Sequence, residues 1–332
     1  MHSFLLEMFA CPACHGTLKW DLMEQRDNRI EAAEARCTAC DAVYPVREGI
    51  GLFLTPDLPR NDLWEQSGSQ LTRYLNEHPE IEQQLMHVPV ETLSPADQFL
   101  RAMVLEERED YTQAEVAADL ARRGLYTPEY LACAASQKNY LAEALAATPG
   151  PIVDLASGRG ELVQVLAQKT NQPIVATDFS PRVLRRNRRW LQFLGLYERV
   201  TLLAFDARRT PFKDGAVITL TTFVGLPNID QPDLLLRELR RIITGTLFAI
   251  SHFFPEDDED NAAAISEMGH SALLFRRSAL EQFAATGWQA ELANICTGRA
   301  KPTPASLLIE GLGIDGLPVA DTVLEWGVLV AR

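Results

Sequence analysis

Apolar residues follow two regimes along this chain, and the change comes close to residue 150. Over residues 57–149 they recur at helical spacing: Leu63 and Trp64, Leu71, Tyr74 and Leu75, then Phe99, Met103, Val104, Val116 and Leu120, with Pro89 and Pro95 as breaks. Residues 128–147, carrying Tyr130, Leu131, Tyr140, Leu141 and Leu145, read as a helix or helix pair. Beyond residue 150 short apolar runs take over, at 151–155, 172–178, 200–206, 216–223 and 245–251, and amphipathic segments separate them. Two more strand candidates, 288–297 and 323–331, flank a Pro- and Gly-rich excursion over 299–321. Apolar runs alternating with helices predict a largely parallel α/β sheet covered on both faces.

The first three runs each close on an acid: Asp154 within its run, then Asp178 and Asp206. After Asp154 the sequence is Asp154-x-x-x-Gly158-x-Gly160, opening a helix over 161–169. Two glycines permit a tight turn and close backbone approach, and helix N-terminal amides face such a turn. Asp178 follows Asp154 by 24 positions, near the roughly 20 at which a doubly wound fold places its ribose-binding carboxylate. The structural alternatives are a helix cap by Asp178 or Ser180 and a turn opened by Asp206.

The glycine turn resembles motif I of the class I S-adenosylmethionine-dependent methyltransferases, and the next hundred residues fit that resemblance. It implies a seven-stranded Rossmann-like sheet whose last two strands are an antiparallel pair. It also implies an S-adenosyl-L-methionine site: Asp178 on the ribose, Asp206 at the adenine amino group, and Asp154, Ala156, Gly158, Gly160, Phe179, Ala207 and Thr222 around them. The preceding helices are expected to cover the cofactor and shape an acceptor pocket with Tyr140, Phe223 and Asn228. Tyr126 and Tyr130 are weighed as pocket residues too, against ordinary core packing. His252, directly at a strand end, is a candidate general base, against the alternative of a hydrogen-bonded structural residue. The acid run 256–260 reads as a solvated loop rather than a metal site.

Four of the six cysteines form Cys11-x-x-Cys14 and Cys37-x-x-Cys40, with 22 residues between the pairs. That is close to two-knuckle zinc-ribbon spacing, and four thiolates would close a tetrahedral structural Zn2+ site. Cys133 and Cys296 lie in apolar contexts and read as core residues. Around the second knuckle the sequence resembles the zinc-ribbon activating subunit of several tRNA, ribosomal RNA and release-factor methyltransferases. The expected organisation is a zinc ribbon over 1–56, a helical cap over 57–149 and the methyltransferase domain over 150–332.

Net charge is −14, and each of these three regions is acidic overall. Phosphate binding needs a basic footprint. The best candidate is the stretch 182–213, with Arg182, Arg185, Arg186, Arg188, Arg189, Arg199, Arg208, Arg209 and Lys213, and a solvated helix face paired with neighbouring acids explains it equally well. The acidic balance favours a small-molecule acceptor under the cap. An RNA acceptor with the ribbon used for docking is the alternative, and a non-catalytic scaffold is a third. The strand-four loop, 222–228, lacks the Asn/Asp-Pro-Pro-aromatic pattern of enzymes that methylate exocyclic or amide nitrogens. No apolar run reaches the roughly 20 residues a membrane helix needs, and the N-terminus lacks signal-peptide character, so a soluble cytoplasmic protein is expected.

Overall fold

The computed structural model describes residues 1–55, 57 and 62–332; Pro56, the expected boundary between ribbon and helical region, lies outside the described residues. The chain begins with four strands, β1 (Leu18–Arg26), β2 (Arg29–Cys37), β3 (Val43–Arg47) and β4 (Ile50–Leu52). Five helices come next: α1 (Leu63–Glu77), α2 (Pro79–His87), α3 (Pro95–Glu107), α4 (Tyr111–Leu125) and α5 (Pro128–Leu145). Their starts carry the expected caps. Asp62, Ser94, Asp110 and Thr127 each accept a backbone N–H of the first turn, and proline opens α2, α3 and α5.

The alternating half comprises β5 (Ile152–Asp154), α6 (Glu161–Lys169), β6 (Ile174–Asp178), α7 (Pro181–Phe193), β7 (Val200–Ala204), β8 (Val217–Phe223), α8 (Pro232–Ile242) and β9 (Ile243–Phe253). It ends with α9 (Glu259–Glu267), α10 (Ser271–Leu274), α11 (Arg276–Ala285), β10 (Ala290–Ala300) and β11 (Thr322–Ala331). The sheet order is β1-β2-β3-β4-β7-β6-β5-β8-β9-β11-β10. From β7 to β9 all neighbours are parallel, and β11 and β10 close that side antiparallel. Those seven strands are the expected class I sheet. The ribbon adds four more, because β4 pairs parallel with β7 through Ile50↔Leu202, Gly51↔Leu203 and Leu52↔Ala204.

One apolar layer fuses the ribbon to the sheet: Met1, Leu5, Phe9 and Phe53 pack with Val153, Phe205, Phe212 and the helices α8 and α11. Phe9 stands 5.0 Å from Phe53 and 5.6 Å from Phe212, centroid to centroid. On the opposite face α5, α6 and α7 cover the same strands. The helices α1 to α3 hold a smaller core of their own, Leu71, Leu75, Leu85, Leu100 and Val104, completed by Ile309 from the excursion between β10 and β11. No helix among the described residues is long and apolar enough to cross a membrane.

Candidate cofactor and acceptor site

The parallel strands end together at one edge of the sheet, where the chain must turn back and backbone amides are left without ladder partners. At β5 the turn runs through Ala156, Gly158 and Gly160, all left-handed, with φ of 52°, 50° and 81°. Val224, after β8, is also left-handed (φ 52°). A β-branched residue there is a strained conformation, the kind that clusters at functional sites. The two turns interlock: a Cβ on Gly225 would lie 2.6 Å from Thr222 Oγ1 and 2.8 Å from Ala156 Cβ.

Asp154 is buried and holds the turn from beneath. Its Oδ1 accepts the Thr221 hydroxyl at 2.7 Å and its Oδ2 the Ser157 hydroxyl at 2.7 Å. Burial pushes its carboxyl up to about 7. Asp178 lies over the turn, Oδ2 accepting Gly158 N–H at 2.9 Å and Oδ1 accepting Ser180 N–H at 2.9 Å. Burial raises this carboxyl as well, to about 6. Neither capping alternative is realised: Ser180 holds the N-cap position of α7 without a side-chain bond to the first turn, and Asp178 spans from the glycine turn to the Ser180 N–H just ahead of the helix. Phe179 is half-buried beside it.

Asp206 differs. Both oxygens of its carboxylate are engaged by Arg208, whose N–H and Nε donate to Oδ1 at 2.9 Å and whose Nη2 donates to Oδ2 at 2.6 Å, with both side chains buried; one acceptor position on Oδ2 is left. Ala207 is buried next to it. Two buried hydroxyls near the turn, Ser180 Oγ and Thr222 Oγ1, have no protein partner. Unfilled donors and left-handed glycines fit a polar, close-approaching ligand.

From behind, α7 fixes the turn by its carbonyls: Asn187 Nδ2 donates to Gly158 O at 2.8 Å and Arg186 Nη1 to Arg159 O at 2.7 Å. The indole of Trp64 on α1 stands 3.8 Å from where a Gly158 Cβ would be. Lys138 of α5 pairs with Glu161, the first residue of α6, at 2.7 Å and lies 4.9 Å from the Phe223 ring centroid.

Beside this edge is a cavity of about 260 Å³, walled by Tyr126 and Tyr130, by Val224 and Asn228 after β8, by His252 and Phe254 of the β9 end, and by Lys301, Thr303 and Asp315 of the excursion. Tyr126 and Tyr130 stack at 4.8 Å, and the Tyr126 hydroxyl donates to Asp315 Oδ2 at 2.9 Å. His252 packs against Trp326 at 4.9 Å, and its Nδ1 is buried without a partner. Burial alone lowers its imidazole to about 4, so the ring is neutral at physiological pH. Tyr140 and Phe223 are not among the cavity's walls; both pack against the core under α5 and α6. The four-residue spacing of Tyr126 and Tyr130 was the available signal, although Tyr126 is extended at the end of α4 and only Tyr130 lies in α5. The excursion gave none, since its proline and glycine content fits any surface loop.

Apart from the exposed Arg185, the arginines of 182–213 are committed to acids and carbonyls. Arg182 pairs with Glu107 at 2.9 Å and Glu65 at 3.4 Å, Arg186 with Glu106 at 2.6 Å, Arg188 with Glu48 at 3.1 Å and Arg189 with Glu109 at 3.4 Å. Arg199 donates to three backbone carbonyls, and Arg209 pairs with Asp57. This row ties α1, α3 and the ribbon to α7. Replacing Arg182, Arg186 and Arg189 together with Gln is therefore expected to lower the melting temperature by about 5 °C or more, since at least one of the pairs is buried. Unchanged melting with a sharp loss of RNA affinity would reverse this reading of the row. In the acid run, Asp258 caps α9 through Asn261 N–H.

At the ribbon tip the sulfurs of Cys11, Cys14, Cys37 and Cys40 all lie within 4.8 Å of one another. Cys11 and Cys40 are 3.7 Å apart, Cys14 and Cys37 3.5 Å. A tetrahedron with Zn–S bonds of about 2.3 Å has edges of about 3.8 Å, so the four thiolates fit one zinc. Ala39 N–H points at Cys37 Sγ from 3.4 Å and the Tyr44 hydroxyl lies 3.4 Å from Cys11 Sγ, partners that steady the ligands. The ring is closed by cysteines, which makes the site structural. Cys133 is buried and Cys296 partly so.

Residues 152–245 match the methyltransferase domain family, and residues 2–49 match the Trm112p-like protein family. Among curated proteins the chain is similar to the ubiquinone/menaquinone biosynthesis C-methyltransferase UbiE of Shewanella frigidimarina, 27% identical over 126 residues, covering 36% of this chain and 50% of that one. The enzyme of the same name from Legionella pneumophila is 30% identical over 108 residues, covering 32% and 43%. The chain thus spans about half the length of the curated relatives it matches. A geranyl diphosphate C-methyltransferase structure from Streptomyces coelicolor aligns with 17% identity and a TM-score of 0.46, over 67% of this chain and 81% of that one. Matched over residues 2–49 and again over 152–245, within the seven strands β5 to β11, the chain joins a Trm112p-like domain to a methyltransferase domain.

Proposed function

We propose that this chain is an S-adenosylmethionine-dependent methyltransferase whose acceptor is a small molecule bound in the cavity beside the glycine turn. One observation carries the reading: the segment that matches a methyltransferase domain contains the strained glycine turn together with Asp154, Asp178 and Asp206 at neighbouring strand ends. The cofactor supplies an electrophilic methyl group on a sulfonium. The residues proposed to hold it are Ala156, Gly158, Gly160, Asp178, Phe179, Asp206, Ala207 and Thr222, with Asp154 bracing the turn.

Methyl transfer needs alignment and exclusion of water more than acid–base help. Tyr126, Tyr130 and Asn228 are proposed to orient the acceptor, and neutral His252 to accept its hydroxyl or amine proton as the nucleophile forms. The relatives, C-methyltransferases of ubiquinone and menaquinone biosynthesis, support a small acceptor. So does the commitment of the arginine row to protein acids. The proposed organisation is a ribbon over 1–56, a helical cap over 57–149 and the catalytic domain over 150–332.

The test is incubation of the protein with methyl-labelled S-adenosylmethionine and a cell extract. Label is expected in the small-molecule fraction. Label confined to RNA would overturn the acceptor assignment, and calorimetry showing no cofactor binding would overturn the activity.

Asp178 gives the site a pH dependence. Its carboxyl, raised to about 6 by burial, can accept hydrogen bonds through both oxygens only when ionised. Cofactor affinity should thus be full above pH 7 and weaken by up to about tenfold per unit as pH falls below 6. Calorimetry across pH 5 to 8 checks this, and Asp178→Asn should remove the fall below pH 6 while leaving any part set by Asp154, near 7.

A further inference from the structure

The carboxylate of Glu106, on α3, is 4% exposed and faces two guanidinium groups. Its Oε1 accepts from Arg159 Nη2 and Arg186 Nη2, both at 2.6 Å, and its Oε2 accepts from Arg186 Nε at 2.9 Å. Burial works against ionisation here, but Arg159 and Arg186 together hold the carboxyl below the ordinary range. Arg159 is the residue between the two glycines of the turn. Its guanidinium also lies 5.2 Å from the Phe99 ring on α3. Arg186, from the other side, donates to the carbonyl of Arg159 itself.

A carboxylate from the helical region thus grips both the side chain at the centre of the turn and the arginine that pins the turn's backbone. The other pairs between α7 and the helices, Arg182 with Glu65 and Glu107 and Arg189 with Glu109, have acids about half-exposed or more and touch no residue of the turn. Exposed pairs of that kind contribute little, whereas removing one member of a buried charged network leaves the others unpaired.

We propose that Glu106 is a positioning residue for the cofactor turn: through Arg159 and Arg186 the helical region sets the turn's geometry, so cofactor affinity and order in α3 are coupled. This rests on the cofactor reading above. Coupling of binding free energies is reciprocal, so the ligand should also order α3 as α3 orders the turn.

The experiment measures S-adenosylhomocysteine binding by calorimetry and amide exchange of the free protein for the full-length chain and three variants. Glu106→Gln removes the carboxylate charge. Arg159→Met keeps the apolar stem against Phe99 and leaves the Glu106–Arg186 pair intact, so it stands alone if Glu106→Gln does not fold. Glu107→Gln breaks an exposed pair on the same helix.

Glu106→Gln and Arg159→Met should each weaken binding about tenfold or more, as loss of a charged hydrogen bond would, and Glu107→Gln should stay within about twofold of the wild type. Exchange over residues 157–162 should rise in the first two only. Wild-type affinity in both would overturn the proposal, as would an equal loss in Glu107→Gln, which would mean that any loosening of the helices suffices. If the wild type binds no cofactor, the functional reading falls. The exchange comparison then still decides whether Glu106 sets the turn, and no difference between Glu106→Gln and Glu107→Gln would overturn it.

Discussion

Cys37→Ser should lower the melting temperature of the entire chain by about 10 °C or more, as one transition, because a structural metal's binding energy is largely folding energy. The sulfur of Cys37 is buried at the ribbon tip with a backbone amide aimed at it. Losing it breaks a closed four-thiolate shell. The ribbon is not insulated from the catalytic sheet: Phe53 packs on Phe9, Phe9 on Phe212, Phe212 on Phe205, and β4 lies along β7. Damage at the tip should therefore reach the strand whose end carries Asp206. Scanning calorimetry with metal analysis checks this. Two separate transitions, the upper one unchanged and still shifted by S-adenosylhomocysteine, would show instead that the ribbon melts alone.

Asp178→Ala should weaken S-adenosylmethionine binding about ten- to a hundredfold, the cost of losing a buried charged acceptor. Its two oxygens also receive the amides of Gly158 and Ser180, so the variant loses an organiser of the turn as well as a ligand contact. Comparison with Asp178→Asn separates the two, because the amide oxygen can still accept one N–H while the charge is gone. Titration calorimetry that finds wild-type affinity in Asp178→Ala would remove this residue from the cofactor site.

The parts of this molecule that depend on local pattern were legible in the sequence. The apolar runs carrying Asp154, Asp178 and Asp206, the glycine turn and the paired cysteines each announce themselves over a few residues, and the family resemblance they carry implied the seven strands. Features built from distant side chains were not legible. Glu106 sits in the run Glu106-Glu107-Arg108-Glu109-Asp110, which reads as a solvated helix end, and only packing shows that one of those acids is buried. The arginines of α7 could be read as a phosphate footprint or as a solvated face paired with acids, and the sequence could not name those acids because they lie 70 or more residues away. Asp206 drew its partner from two positions on, yet Asp-Ala-Arg is unremarkable without the fold. The three residues of β4 were too few to register as a strand, and nothing in them names β7 as their neighbour.

That pairing of β4 with β7 bears on stoichiometry. An uncovered parallel edge is an open template for other chains. Here the covering strand arrives on the same polypeptide, so its effective concentration is on the order of millimolar and does not change with dilution. Edge coverage is therefore one per molecule at any expression level. A protein split after the ribbon would lose that constancy: its two halves would come apart below their mutual dissociation constant, and the sheet edge would be covered or bare according to how much of each half was made.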